Sequence, residues 1–291
     1  LGEVLHVEME NIMKEQLVQI DAFLTGRMDS GIDLASSDAN PVTAPQVALI
    51  VDQPFNSYTA GQLWFLFDRW TEYGISRIRA NRLSNIDMAE YDVMIFPGAW
   101  GGLEAALSQN DQERLKAWVG SGGVLVATEG TAAWLSADRS GFTNVSLHKK
   151  VEQEEQEEQD EVKYIPYAER SERAGLQRIP GASFKSYVDT SHPLGYGMKE
   201  KLFTLKFSTD AFELTNELLA IGRYHENSSD ILASGYSSDI NKQMAAGQSF
   251  AAVQNLGQGK VVLLLENTQY RMFWIGPSRM IQNAVFQLPA H

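Results

Sequence analysis

A glutamate occupies the sharpest corner that the sequence predicts, between a strand and a helix. Residues 122–133 have the sequence GGVLVATEGTAA, in which an apolar run is followed directly by Glu129 and Gly130. This pattern is typical of a nucleophile elbow, where a strand ends in a tight turn and presents one side chain to a cleft of an α/β sheet. A carboxylate there accepts hydrogen bonds but is a poor acyl nucleophile. The corner therefore has the shape used for covalent catalysis without the group that performs it.

Other polar or aromatic side chains fall where further strands are predicted to end. The candidate cleft residues are Asp52, Gly98, Trp100, Glu129, Asn267 and Arg271. Ligands of doubly wound sheets bind at the carboxyl ends of the strands, so we expect these residues to line one concave pocket. Trp100 either stacks on a ligand or packs over the sheet edge. Arg271 either binds a ligand or joins the carboxylates, Glu266 among them, in an internal salt-bridge network.

The composition excludes several classes of function. The chain has 291 residues, a formal net charge of −13 and no cysteine. Net negative charge disfavours nucleic acid and anionic membranes as partners, because both select basic surfaces. The lack of cysteine excludes disulfides, thiolate metal sites and a cysteine nucleophile. No apolar run approaches the roughly 20 residues that span a bilayer.

Strand and helix patterns alternate along the body of the chain. The predicted strands are residues 47–52, 75–78, 91–96, the run ending at Thr128, 203–207, 218–222, 249–253 and 257–266. Helices are predicted from Thr59, where Thr59 and Gln62 have capping-box spacing, at 109–119 and near 270–286. Such alternation implies parallel strands joined by right-handed crossovers. The sequence therefore predicts an α/β fold with a doubly wound, mostly parallel sheet.

Two further segments differ from this body. Residues 3–24 have the apolar spacing of an amphipathic helix, and a loop rich in Asp, Ser, Gly and Pro follows at 26–45. We therefore expect an N-terminal helix and linker at 1–45 and an α/β domain at 46–291. An acidic low-complexity run predicts a mobile insertion near 150–162. Since the first residues are neither an initiator Met nor a signal sequence, we interpret the chain as part of a longer protein.

The order of these segments resembles a known fold family. The VALIVD strand, the YDVMIFPGAWGG strand and loop, the GGVLVATEGTAA corner and the GQGKVVLLLENTQYR segment resemble the class I glutamine amidotransferase-like fold. More narrowly, SHPLGYG at 191–197, SGY at 234–236 and the tail through Asn283 are similar to the amidotransferase-like domain that follows the catalytic domain in bacterial zinc carboxypeptidases of the carboxypeptidase A type. The resemblance covers about residues 46–288.

The resemblance implies that both catalytic machineries are absent from this chain. Active amidotransferases of this fold carry a Cys at the elbow, a glycine-rich oxyanion loop and a His-x-Glu after a late strand. Here Glu129 matches the Cys, residues 98–102 match the loop, and residues 266–271 contain no His. The carboxypeptidase zinc is held by a His-x-x-Glu pair and a distant His. None of the five histidines is followed by Glu at the third position.

These observations favour one function and leave two others open. We expect a non-catalytic accessory domain of a periplasmic or secreted zinc carboxypeptidase, whose upstream catalytic domain is the partner and holds the zinc. For this chain itself we expect no cofactor and no metal. The alternatives are a module that binds a small molecule or peptide at the strand-end cleft, and an enzyme that uses Glu129 and Asp52 as acid and base.

Overall fold

The N-terminal helix is shorter than its apolar pattern suggests. The computed structural model describes residues 2–16, 19–20, 24–34, 36, 43–149 and 166–290, and it divides the chain into two compact units, Leu1–Val42 and Thr43–His291. In the first unit, α1 spans Gly2–Gln16. The helix predicted over 3–24 is wrong beyond this point, because residues 19, 20 and 24 are not helical. Short helices depend on packing of their apolar side, and Leu5, Val7 and Ile12 are exposed.

One sheet of ten strands organises the second unit. The strands are β1 Val47–Val51, β2 Ser76–Arg79, β3 Val93–Phe96, β4 Val124–Thr128, β5 Ala182–Val188, β6 Lys201–Lys206, β7 Leu219–Tyr224, β8 Leu232–Gly235, β9 Ser249–Leu256 and β10 Gly259–Leu264. Their order is β2-β1-β3-β4-β10-β9-β7-β5-β6, and β8 also pairs with β5. Strands β2, β1, β3, β4 and β10 are parallel, and an antiparallel extension continues from β10.

Helices cover both faces of the sheet, which confirms the predicted doubly wound α/β fold. They are α2 Ser57–Phe65, α3 Leu103–Ala106, α4 Gln109–Gly120, α5 Glu129–Trp134, α6 Tyr167–Leu176, α7 Asp239–Ala245 and α8 Arg279–Phe286. Successive residues of β1 face opposite sides. Leu49 packs in the cluster beneath α2 and α8, whereas Ile50 packs in the cluster beneath α4 and α5. This burial on both faces explains why the parallel strands are continuously apolar.

Two helices, α2 and the closing helix α8, begin at other residues than the sequence predicts. Helix α2 is capped by Asn56, whose side chain accepts a hydrogen bond from the Tyr58 backbone N–H at 2.9 Å, so Thr59 is not a cap. The closing helix begins at Arg279 and not near residue 270. The reason is that Arg271 and Met272 have φ angles of 47° and 56°, a left-handed conformation that an α-helix cannot contain.

The SHPLGYG segment serves as a tertiary anchor. The Asn283 side-chain amide in α8 donates hydrogen bonds to the carbonyls of Leu194 and Tyr196, both at 2.9 Å. His192 accepts a hydrogen bond from the Leu194 backbone N–H at 3.1 Å and caps the following turn. The motif therefore fixes the chain after β5 onto α8.

The acidic insertion expected near 150–162 lies outside the described residues. Within the described ranges, each helix is too short or too polar to cross a membrane. Strands β5 and β8 are additions that the sequence patterns did not indicate.

Candidate functional site

The elbow predicted at Glu129 is present at the end of β4. Glu129 is the first residue of α5 and has φ 52°, a left-handed conformation that is uncommon outside glycine. The next residue must be glycine, because a Cβ on Gly130 would lie 2.2 Å from the Ala99 carbonyl oxygen. The turn thus packs directly on the loop that follows β3. Strain of this kind is concentrated at functional sites.

The Glu129 side chain packs into the surrounding protein. Its Oε2 accepts a hydrogen bond from the Thr59 hydroxyl of α2 at 2.7 Å, and Thr59 is buried. A Cβ built on Gly98 would lie 2.5 Å from the same oxygen and 2.8 Å from the Glu129 Cβ. The carboxyl group therefore lies against the backbone of the loop that follows β3.

Burial raises the pKa of Glu129 above its usual value, and repulsion by the neighbouring Glu266 raises it further. Hydrogen bonds from the side chains of Thr59 and Asn267 act in the opposite direction. Asn267 also donates to Gln62 of α2 at 2.9 Å. Neutral donors therefore bind the elbow carboxyl, and the charge that acts on its pKa is that of a second carboxyl, Glu266.

A buried cluster of Lys206, Tyr224 and Glu266 lies behind the elbow. The Lys206 ammonium donates to Glu266 at 3.0 Å, to the Tyr224 hydroxyl at 2.8 Å and to the Asp210 carbonyl at 2.6 Å, which uses its three protons. Tyr224 in turn donates to Glu266. Burial, followed by the charge of Glu266, raises the pKa of Tyr224 well above 10. The cluster joins β6, β7 and the chain after β10.

The structure places Asp52 and Trp100 in separate clefts, and Glu129 lines neither of them. Asp52 forms an ion pair with Arg79 at 3.4 Å and borders a groove of about 590 Å³. Trp100 is 86% exposed, so it does not pack over the sheet edge, and it borders a cleft of about 320 Å³. Gly98 and Asn267 are the predicted residues that meet Glu129.

Arg271 lies at the same end of the sheet in the turn Tyr270–Met272, which packs on α2. Its guanidinium stands over the Tyr270 ring at 5.3 Å. In the described part of the chain Arg271 forms no ion pair, so the salt-bridge network expected around it is centred instead on Lys206. The sequence analysis did not select Lys206, Tyr224 or, as site residues, Thr59 and Gln62. The capping-box spacing of Thr59 and Gln62 is the one sequence signal that singled out these two residues, which lie within α2.

Among the residues that the structure describes, no group of three or more histidine, aspartate or glutamate side chains is arranged to hold a metal ion. The arrangement at the elbow can donate or accept a proton at Glu129, but it offers no thiolate and no histidine there.

Comparisons with known proteins agree on the fold alone. No family model and no curated protein matches the chain. Among solved structures, PurLQS from Thermotoga maritima superposes with a TM-score of 0.54 at 10% identity, over 84% of this chain and 98% of that one. A ThuA-like protein from Bacteroides uniformis matches with a TM-score of 0.48 at 11% identity, over 87% and 95% of the two chains. The fold is that of the class I glutamine amidotransferase-like proteins, as the sequence resemblance predicts.

Proposed function

We propose that this chain is a non-catalytic domain with an amidotransferase-like fold, serving as an accessory domain of a zinc metallocarboxypeptidase. The observation that supports the lack of catalysis is the residue at the elbow and its contacts. Glu129 occupies the nucleophile position, and its carboxyl group is bonded to Thr59 and packed on Gly98.

The second catalytic position supports the same conclusion. In active members of the fold a histidine follows the late strand, whereas here Glu266 follows β10 and is held by Lys206 and Tyr224. Acyl transfer needs a nucleophile that a neighbouring base can activate. Glu129 is hydrogen-bonded to Thr59 and Glu266 to Lys206. These two carboxyl groups do not form a pair of nucleophile and activating base.

Glutaminase activity tests the non-catalytic assignment. We expect no glutamate release from glutamine by the wild-type chain above a control without protein. Glu129→Cys should not restore activity, because residues 265–271, which follow β10, contain no histidine to activate the thiol. Turnover of glutamine by the wild type would overturn the assignment.

The carboxypeptidase part rests on the sequence resemblance at 191–197, 234–236 and the C-terminal tail. We expect the full natural polypeptide that contains this sequence to bind stoichiometric zinc and to release C-terminal amino acids from peptides in a chelator-sensitive way. This chain, purified alone and dialysed, should do neither. Zinc retained by this chain, together with chelator-sensitive peptidase activity, would contradict the assignment.

A carboxylate-based enzyme is the second candidate, and the raised pKa of Glu129 favours it. A carboxyl group that keeps its proton nearer to neutral pH can act as a general acid. Asp52 is not placed to act with it, because it pairs with Arg79 in another groove. Hydrolysis of nitrophenyl ester or glycoside substrates that is lost in Glu129→Gln would support this candidate; under the proposed function no such hydrolysis occurs.

A further inference from the structure

A cleft between two exposed aromatic side chains opens at the same edge of the sheet as the elbow. It has a volume of about 320 Å³ and lies between the loops that follow β1 and β3. Tyr58 is 74% exposed and Trp100 is 86% exposed. Single exposed aromatic side chains are common on protein surfaces, but two that border one cleft form an apolar patch that indicates a binding surface.

The backbone holds the two loops to each other. Phe55 and Ala99 form an antiparallel bridge, and the Asn56 backbone N–H donates to the Gly98 carbonyl at 2.7 Å. Asn56 also caps α2 through the Tyr58 N–H. The turn after Trp100 uses φ 142° at Gly101, a conformation open to glycine. Because the loops are already ordered against each other, a ligand would lose little affinity to ordering them.

The lining of the cleft selects an uncharged ligand. Of the described residues that line it, none carries a charge, although 21% of the chain is Asp, Glu, Lys or Arg. Its polar side-chain groups are the amides of Gln53 and Asn56, the hydroxyls of Ser57 and Tyr58 and the indole N–H of Trp100, all of them neutral. Anions and cations would enter without a partner of opposite charge. The suitable ligand has apolar faces for the rings and several hydroxyl or amide groups for the neutral side chains.

We propose that this cleft binds a neutral saccharide. A sugar ring has an apolar C–H face that stacks on an aromatic ring, and its hydroxyls both donate to and accept from amide and hydroxyl side chains. The volume is at the lower end of the range for small-molecule sites and accommodates one or two sugar rings. The inference does not depend on the proposed function, since it uses residues outside the elbow.

Titration with neutral oligosaccharides tests the proposal. Cellohexaose, maltohexaose and hexa-N-acetylchitohexaose are added separately to the whole chain, and binding is followed by tryptophan fluorescence and calorimetry. We expect at least one to bind with a dissociation constant of about 1 mM or tighter and to shift the emission to the blue. Trp100→Ala and Tyr58→Ala should each weaken that binding about tenfold.

Trp70→Ala is the matched control, because Trp70 is 55% exposed and lies outside the cleft. It should leave the affinity unchanged, and all three variants should unfold at the same urea concentration as the wild type. Failure of all three sugars to bind at about 10 mM would overturn the proposal. So would binding that survives Trp100→Ala, a preference for an acidic oligosaccharide such as a hyaluronan hexamer, or binding of a proline-rich peptide in place of the sugars. None of these results would alter the glutaminase or zinc measurements.

Discussion

Two glutamates lie at the ends of neighbouring strands, and their surroundings differ in kind. Glu129 follows β4 and Glu266 follows β10, and Thr128 pairs with Leu264 in the register of these strands. Glu266 is buried beside the Lys206 ammonium, whereas Glu129 has neutral donors and a raised pKa. The same residue type at the same edge of a sheet therefore serves as half of a buried ion pair in one case and as a carboxyl that retains its proton more strongly in the other.

The difference between the two glutamates follows from the charge of the residue that binds each carboxyl group. A buried charge is costly unless an opposite charge and further hydrogen bonds replace the water it has lost. Lys206 and Tyr224 provide both for Glu266. Thr59 provides only a neutral hydrogen bond for Glu129. Removing the partner should therefore have a larger effect at Glu266 than at Glu129.

Lys206→Met should produce the largest loss of stability. It keeps the apolar stem of the side chain but leaves the Glu266 carboxylate buried without its cation. We expect the free energy of unfolding to fall by about 3–5 kcal/mol, measured by urea denaturation.

The control for this variant is Lys185→Met, which breaks the more exposed pair with Asp230. That change should cost about 1 kcal/mol or less. If the two variants lose similar amounts, the buried cluster is not the stabilising element that the comparison assigns.

Gly98→Ala tests how tightly the elbow is packed. The new methyl would meet the Glu129 Cβ at 2.8 Å, and that atom cannot move without its backbone. We expect a loss of about 1–3 kcal/mol in the free energy of unfolding.

The same substitution made together with Glu129→Gly should cost less than in the wild type, because the opposing Oε2, Cβ and Cδ atoms are then gone. Gly61→Ala is the control, since a Cβ there meets nothing within 4 Å and α2 gains a better helix former. Equal losses at Gly98 with and without the Glu129 side chain would show that its carboxyl group is not packed on the glycine.

Thr59→Val removes the hydroxyl that donates to Glu129 while keeping the size of the side chain. The carboxyl then loses a hydrogen bond in a partly buried place, and we expect the free energy of unfolding to fall by about 1–2 kcal/mol. Thr59→Ser keeps the donor and should lose less. A larger loss for serine than for valine would mean that Thr59 contributes through its methyl group.

Glu129→Gln should change the pH dependence of stability, and the variant should gain stability relative to the wild type as pH rises from the acid range. Because the pKa of Glu129 is raised in the folded state, folding favours the protonated form, and stability falls as pH rises from the usual carboxyl range through the raised pKa. The glutamine variant lacks this titration. The difference in free energy of unfolding between variant and wild type, followed from about pH 4 to pH 8, should move in favour of the variant. A difference that does not change with pH would contradict the raised pKa.

Much of the fold could be predicted because each parallel strand can be recognised from its own short stretch of sequence. Strands β1, β3, β4 and β10 are continuous apolar runs bounded by turn residues, and each was expected near its observed position. The limit of such reasoning is visible in β6. Phe203 and Phe207 alternate with Thr204 and Lys206, and the sequence analysis predicted a strand here without deciding which side faces inward. In the structure Thr204 and Lys206 are buried and both phenylalanines are exposed.

The reason lies in pairing between distant strands. Thr204 is paired with Phe184 of β5, whose side chain is buried. Paired residues of neighbouring strands lie on the same face of a sheet, so this register turns Thr204 inward. The cost of burying Lys206 is then met by Glu266 and Tyr224, which come from two other parts of the chain.

The sequence by itself determined the elbow, its glutamate, the lack of any cysteine and the lack of a histidine at 266–271, because composition and short-range pattern can be recognised without knowing any distant partner. The tertiary structure alone decided what the glutamates do. Glu129 meets Thr59 across 70 residues, Lys206 meets Glu266 across 60, and Gln62 meets Asn267 across 205. Local propensity extends over a few residues, whereas these contacts exist because the crossovers bring separate strand ends together and exclude the water that would otherwise satisfy each polar group.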